Sequence, residues 1–177
     1  MNITVYLGAS DGNDPALQEA VCALGQWIGE NGHTLVYGGS SSGLMGKIAR
    51  STLNAGGKVI GVEPQMFVDK GYLYDGLTEF IVTKDMRERK AKMIELGDAF
   101  IAFPGGTGTL EEIAEIMSQV ALDLMDAPCI LYNLNGYYND LKKLLQLMID
   151  KGFSTPARQR CICFADNLDQ IAQALVR

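Results

Sequence analysis

The sequence has few of the residues that usually bind metals. It contains one histidine, His33, and four cysteines, none of which forms a C-x-x-C pair. Zinc sites are built from histidine and cysteine ligands at short, regular spacings. We therefore predict no metal site, and we interpret the cysteines as small apolar core residues.

Long apolar runs and an excess of basic residues are also absent. The 177 residues carry a formal net charge of −6, and no stretch approaches the roughly 20 apolar residues that span a bilayer. Nucleic acids and anionic membranes attract positive surfaces, so neither is expected as a partner. No signal peptide precedes the first strand pattern, which predicts a cytoplasmic protein with reduced thiols.

The sequence is instead rich in alternating strand and helix patterns. The first strand pattern covers Ile3 to Leu7, and Asp14-Pro15 then reads as the start of a helix. The alternation continues to the end of the chain, which indicates βαβ units and a mostly parallel sheet flanked by helices in a single α/β domain, 1–177. Residues 63–78 show no period and are predicted to form a long loop that borders the site.

Three loops rich in glycine or serine follow predicted strands, at residues 8–13, 38–43 and 104–108. Open α/β sheets bind ligands beyond the carboxyl ends of their strands, so we expect the loops to converge on one site. In the third loop, glycines permit close backbone approach and positive φ, and the following helix start directs amides at an anion. This predicts phosphate binding, with a tight turn without ligand as the alternative. The residues concerned are Gly105, Gly106, Thr107, Gly108 and Thr109.

The loop at 38–43 resembles a Walker A sequence without matching it. That motif, aligned on Lys47, needs glycine in place of Ser41 and a hydroxyl residue in place of Ile48. The dinucleotide fingerprint G-x-G-x-x-G is absent as well. Two interpretations stay open: a second phosphate or ribose contact involving Gly39 and Gly43, and a turn with no ligand.

The helix predicted at 85–96 carries two basic residues on its apolar side. Arg89 and Lys90 follow Met86 by three and four residues, which places them with the apolar positions. An unpaired charge that faces inward costs several kcal/mol, to order of magnitude. We therefore expect both to meet a ligand phosphate or an inward carboxylate, the alternative being that they extend to the helix edge.

Acidic residues open the helix predicted from Thr109 to about Met125. Thr109 and Glu112 match a capping box, and Glu112 is predicted to lie well off the core face, on the side of Ile116. A carboxylate beside a phosphate can also act on the ribose, where positive charge develops as a glycosidic bond breaks. Capping and catalysis are both open for Glu112. The predicted core face consists of Leu110, Ile113, Met117 and Val120.

Three segments together resemble the motifs of the Lonely Guy phosphoribohydrolases. Residues 104–112 match P-G-G-x-G-T-x-x-E, residues 86–90 match a motif centred on an Arg-Lys pair, and the loop of residues 37–46 matches a third. The similarity runs from about residue 5 to residue 147. It implies a Rossmann-like, doubly wound fold, a homodimer and no cofactor. The implied reaction is hydrolysis of AMP or a cytokinin riboside 5′-monophosphate to the base and ribose 5-phosphate.

The resemblance also implies site residues by position. Arg89 and Glu112 would be the catalytic pair. The nucleotide site would be lined by Lys90, Gly105 to Thr109, Leu110, Glu111 and Ser118. Two positions depart from the family pattern, which often has glycine in place of Ser40 and histidine in place of Arg87.

Two other functions are compatible with a phosphate loop. A non-catalytic carrier of a nucleotide or phosphorylated cofactor would use the same loops, but it gains nothing from a carboxylate such as Glu112 beside its phosphate. Family members are also labelled lysine decarboxylases. That chemistry normally needs pyridoxal phosphate on a lysine, and nothing in the sequence beyond a phosphate loop suggests such a site.

Overall fold

Strands and helices alternate along the whole computed structural model, which describes residues 1–71 and 74–176. The strands are β1 (Asn2–Tyr6), β2 (Thr34–Tyr37), β3 (Lys58–Pro64), β4 (Glu79–Thr83), β5 (Ala99–Ala102), β6 (Cys129–Tyr132) and β7 (Ile162–Ala165). The helices are α1 (Pro15–Glu30), α2 (Gly43–Asn54), α3 (Gln65–Val68), α4 (Met86–Leu96), α5 (Thr107–Ala121), α6 (Asn139–Asp150) and α7 (Leu168–Leu175).

The seven strands form one sheet in the order β4-β3-β2-β1-β5-β6-β7, and every pair is parallel. This confirms the predicted α/β fold. The chain moves outward from β1 through β2, β3 and β4, then returns to the other side of β1 with β5. The loops after β1 and β5 therefore diverge, and they open a crevice at this switch point.

Helices cover both faces of the sheet, as the doubly wound prediction requires. On one face α1, α2 and α7 share a core that includes Ile3 and Val5 of β1. On the other face α4, α5 and α6 contribute a second core, with Met93 and Ile113 among its buried residues. Burial on both faces explains why the central strands are mostly apolar. No helix in residues 1–71 and 74–176 has the length and apolar character that crossing a bilayer requires.

The segment at 63–78 is more regular than predicted. Strand β3 continues through Glu63 and Pro64, and helix α3 follows directly. The prediction of a loop was wrong here because Glu63 and Pro64 pair with β4, which extends the strand beyond its apolar run. Tyr72 and Leu73 of the predicted loop lie outside the described residues.

Helix α5 begins two residues before the predicted start and ends at Ala121. Gly106 is its N-cap, so Thr109 lies inside the helix and the predicted capping box is wrong. The predicted core face is also wrong in part, because Leu110 is 46% exposed whereas Ile116 is fully buried. The buried stripe instead contains Glu112. Periodicity alone assigns a charged residue to the exposed side of a helix. It does not reveal a buried partner on another helix that would bring the charge into the core.

Glycine at position 43 allows the loop after β2 to pack closely against the loop after β1. Gly43 has a φ of 53°, and a Cβ atom there would overlap the carbonyl oxygen of Ala9. At Gly56, φ is 80° and the surrounding space is open. Both positions favour glycine for its backbone conformation, but Gly43 is also required for close packing.

We expect Gly43→Ala to be much more destabilising than Gly56→Ala. The left-handed backbone alone costs about 1–2 kcal/mol, and the overlap at Ala9 adds a further cost of about 1–3 kcal/mol. Denaturant unfolding of the two variants beside the wild type measures the difference. Equal losses would show that the contact between the two loops contributes little.

Candidate active site

A cleft of about 590 Å³ lies at the switch point between β1 and β5. Its walls come from the loop after β1, the loop after β5, the first turns of α5 and the side chains of Arg89 and Glu112. Two of the three predicted loops therefore converge here. The loop at 38–43 does not line this cleft, although Ser40 and Ser42 line a neighbouring cavity.

The start of α5 is open to the cleft and has no side-chain cap. The N-caps of α1 and α4, by contrast, accept hydrogen bonds through Asp14 and Asp85. Thr107 and Gly108, in the first turn of α5, are exposed and line the cleft. The first amides of a helix have no intrahelical acceptor, and the helix dipole favours an anion beside them. An uncapped helix start at the cleft is what a phosphate loop requires, and phosphate binding at these residues stays a prediction.

The glycines of this loop do not have the positive φ that we expected, since none of Gly105, Gly106 and Gly108 is among the residues in that region. Gly105 is needed for close packing instead. A Cβ atom there would lie 2.9 Å from the amide nitrogen of Gly8 and would overlap the Thr109 side chain. Gly106 and Gly108 have open space at that position, which leaves the helix start accessible to a ligand.

Two tyrosines that sequence reasoning missed fix the strand end before this loop. The Tyr137 hydroxyl donates to the carbonyl oxygen of Gly105 at 2.5 Å, and the Tyr138 hydroxyl donates to that of Phe103 at 3.0 Å. Tyr137 also lines the cleft. Their position after β6 gave no signal, because the contact depends on the order of strands in the sheet.

Arg89 points inward from α4, as predicted. Its side chain is buried, and Nε donates to the carbonyl oxygen of Val62 at 3.1 Å. Nη1 lies 3.5 Å from Oε1 of Glu112. A Cβ atom at position 38 would overlap the guanidinium group, so Gly38 makes room for it. The first glycine of the loop at 38–43 is therefore needed for the packing of Arg89 and does not line the cleft.

Glu112 is the buried partner of Arg89. It is 7% exposed, and Arg89 is 6% exposed. Burial raises the pKa of Glu112 to about 6, and the positive charge of Arg89 opposes that rise. Most of this carboxyl group is therefore ionised at neutral pH. It lies at the wall of the cleft.

Most of the other predicted site residues do not line the cleft. Lys90 is half-buried, with Nζ 2.7 Å from Oε1 of Glu111 and 3.3 Å from Oε2 of Glu115, and these contacts raise its pKa. Lys90 therefore forms ion pairs with two carboxylates, and one of them, Glu111, lines the cleft. Ser118 is exposed and donates to the carbonyl oxygen of Ala114. Lys90, Leu110, Ser118, Gly39 and Gly43 lie outside the cleft lining.

A second cavity of about 460 Å³, here called the side cavity, adjoins the cleft. The two share Ala9, Met45, Met86 and Arg89. Glu63, at the end of β3, lines the side cavity and is 4% exposed. Within the described part of the chain its Oε2 atom has no hydrogen-bond partner. Burial raises the pKa of Glu63 to about 7, and Arg89 opposes the rise.

The fold and the cleft define a Rossmann-like protein with an uncapped helix start at its topological switch point. A family model described as "Possible lysine decarboxylase" matches residues 45–175. Relatives with 42% and 38% identity carry the name cytokinin riboside 5′-monophosphate phosphoribohydrolase. The chain belongs to this family, the Lonely Guy phosphoribohydrolases.

The similarity covers most of each protein. The enzyme of Rhodococcoides fascians is 42% identical over 167 residues, which are 93% of this chain and 84% of the relative. LOG7 of Arabidopsis thaliana is 38% identical over 173 residues, 98% of this chain and 80% of the relative. The molybdenum cofactor carrier protein of Chlamydomonas reinhardtii superposes with a TM-score of 0.72 at 21% identity, covering 99% of this chain and 98% of the carrier. At that identity the likeness shows the fold alone.

The buried carboxyl of Glu63, whose Oε2 atom has no hydrogen-bond partner among the described residues, predicts a pH-dependent stability. Its pKa is raised on folding, from an ordinary 4.5 to about 7. The folded protein therefore favours the protonated form of Glu63. The resulting contribution to the free energy of unfolding is fully present below about pH 4.5, and it is lost as pH rises through about 7. Glu63→Gln should become more stable relative to the wild type over this range, by on the order of 1–3 kcal/mol.

Denaturant unfolding at several pH values between 4.5 and 8 measures this trend. Glu79→Gln is the matched control, because Glu79 is an exposed glutamate on the neighbouring strand β4. A stability difference between Glu63→Gln and the wild type that does not change with pH would show that Glu63 is solvated or paired.

Proposed function

We propose that this protein hydrolyses the N-glycosidic bond of a purine nucleoside 5′-monophosphate. The substrate is AMP or a cytokinin riboside 5′-monophosphate, and the products are the free base and ribose 5-phosphate. The observation that carries the proposal is the buried Arg89–Glu112 pair at the wall of a cleft that also contains an uncapped helix start. The named activity of the relatives supports the same reaction.

The 5′-phosphate binds at the start of α5 in this proposal. The backbone amides of Gly106, Thr107 and Gly108 face the cleft without a competing side-chain cap, and hydrogen bonds from such amides to an anion are strong. Gly105 permits the close packing that places them. Lys90 acts indirectly by holding Glu111 at the cleft edge, and Gly39 and Gly43 shape the adjoining loop.

Glu112 acts on the ribose. As the bond between C1′ and the base nitrogen breaks, positive charge develops on the ribose ring, and an adjacent carboxylate can stabilise it or accept a proton from the attacking water. Arg89 keeps the carboxylate ionised despite its burial. The pair therefore supplies a base that is charged at neutral pH and shielded from bulk water.

The two alternative functions are less well supported. A carrier of a phosphorylated cofactor would need the helix start but not a buried carboxylate next to it, and the likeness to molybdenum cofactor carriers concerns the fold alone. A pyridoxal phosphate enzyme holds its cofactor on a lysine. Among the described residues that line the cleft there is no lysine, so the decarboxylase description does not fit the site.

Glu112→Gln tests the catalytic role directly. It keeps the shape of the side chain and removes the charge, so kcat should fall by about 10²–10⁴-fold while AMP still binds. Glu115→Gln, one turn further along α5, is the matched control and should change kcat by less than about twofold, since its ion pair is partly exposed. Steady-state rates and melting curves with and without AMP give both quantities. A Glu112→Gln protein with normal kcat would favour the carrier function.

We also propose a homodimer, which the family resemblance implies. The side of α5 that carries Ile116 was also expected to contribute to the interface, but it does not support a dimer, because Ile116 is buried within the chain. Leu122 and Leu124, just after α5, are 63% and 73% exposed and offer an apolar contact surface instead.

Light scattering at micromolar concentration should give twice the chain mass. Leu122→Lys combined with Leu124→Lys should shift the protein toward the monomer, because charged side chains cannot be buried there without a partner. Phe153→Lys, on an equally exposed apolar residue elsewhere, is the matched control. A fully active monomer would remove the interface from the mechanism.

The cellular location that we propose is the cytoplasm. All four cysteines are thiols in the structure, and thiols persist in a reducing compartment.

A further inference from the structure

Glu63 is a buried carboxyl group that takes no part in the reaction proposed for Arg89 and Glu112. It lies at the end of β3, one residue after the Val62 carbonyl that accepts from Arg89. Its Oε2 atom is enclosed and has no donor within the described residues. A carboxylate buried without donors is costly, and the neutral acid is the form that such a site favours.

Among the residues that the structure describes, two titratable groups on neighbouring elements interact electrostatically with Glu63. Arg89, on α4, favours its ionised form, but burial has the larger effect and the pKa of Glu63 is about 7. Tyr37, on β2, interacts with it electrostatically, and burial raises the pKa of this tyrosine so that it stays neutral. A large fraction of Glu63 is therefore protonated at neutral pH. With Oε2 enclosed, the other carboxyl oxygen is the one left to meet a ligand in the side cavity.

The side cavity is in the right place for the base of the substrate. Arg89 lines both the side cavity and the cleft, so a ribose held at Arg89 and Glu112 can direct its base into this space. Met45, Phe67 and Met86 supply apolar surface suited to a flat aromatic ring. Its volume of about 460 Å³ lies within the range of small-molecule sites.

We propose that Glu63, as the neutral acid, donates its proton to an acceptor ring nitrogen of the purine as the base leaves. This inference rests on the proposed function. The bond between C1′ and the base nitrogen breaks, and its electron pair stays on the base. The proton of Glu63 moves to a ring nitrogen and leaves Glu63 as a carboxylate. Water forms the new bond to C1′ and loses a proton to Glu112. One proton then returns from Glu112 to Glu63 through solvent, which restores both groups.

Two substrates with different leaving groups test this role. AMP needs a proton on its base, whereas p-nitrophenyl ribofuranoside 5-phosphate releases a stable phenolate without one. Glu63→Gln should lower kcat for AMP by about 10²-fold or more and lower it for the p-nitrophenyl substrate by less than about threefold. Glu112→Gln should lower kcat for both substrates, because its role concerns the ribose carbon that they share. An equal effect of Glu63→Gln on the two substrates would overturn the proposal.

The pH dependence of kcat/KM for AMP is the second measurement. It is informative even if the p-nitrophenyl group does not fit the side cavity. For AMP, the wild type should lose activity as pH rises through about 7, because the acid form of Glu63 is required. Glu63→Gln should lose this alkaline limb, and the exposed control Glu79→Gln should keep it. The same alkaline limb in the wild type and Glu63→Gln would contradict the role of Glu63.

The outcomes separate this inference from the proposed function. If the wild type hydrolyses neither substrate, the proposed function is wrong. If it hydrolyses AMP and Glu63→Gln does so equally well, the hydrolase stands and the role of Glu63 is wrong. Melting curves of each variant show whether it is folded, and Glu63→Leu provides a second substitution that also removes the proton.

Discussion

The buried ion pair between Arg89 and Glu112 is the contact on which the cleft depends. It joins α4 to α5 next to the crevice between β1 and β5, and the same guanidinium donates to the Val62 carbonyl of β3. Removing one member of a buried pair leaves an uncompensated charge, at a cost of about 3–5 kcal/mol. Other features follow from the pair, including glycine at position 38, where any side chain would collide with Arg89.

Arg89 also links two carboxyl groups of different character. Burial raises the pKa of both, to about 6 for Glu112 and about 7 for Glu63, and the charge of Arg89 opposes both shifts. The ion pair with Glu112 favours the carboxylate, whereas Glu63 has an enclosed oxygen without a donor. An ion-paired carboxylate and an enclosed carboxyl group without a donor on one oxygen are suited to act as base and acid in one reaction.

The sequence was sufficient to predict the parallel sheet and the inward direction of Arg89. Both follow from local patterns: the strands are mostly apolar, and Arg89 lies three residues after Met86 on a helix. The burial of Glu112 was not predictable in this way, because a carboxylate joins the core only when its partner on another helix is known. Glu63 and Tyr137 were missed for a related reason. Their roles come from the sheet order, which brings β3 and the segment after β6 to the same edge as the loop after β5.

The products that the pure protein forms from AMP and from adenosine test the hydrolase function most directly. We expect adenine and ribose 5-phosphate in equal amounts from AMP, and a kcat/KM for adenosine lower by on the order of 100-fold or more, because adenosine lacks the charge-assisted contacts at the start of α5. Chromatography with mass detection resolves all of these products. Adenosine and phosphate as products, equal turnover of adenosine, or tight binding of AMP without turnover would contradict this function.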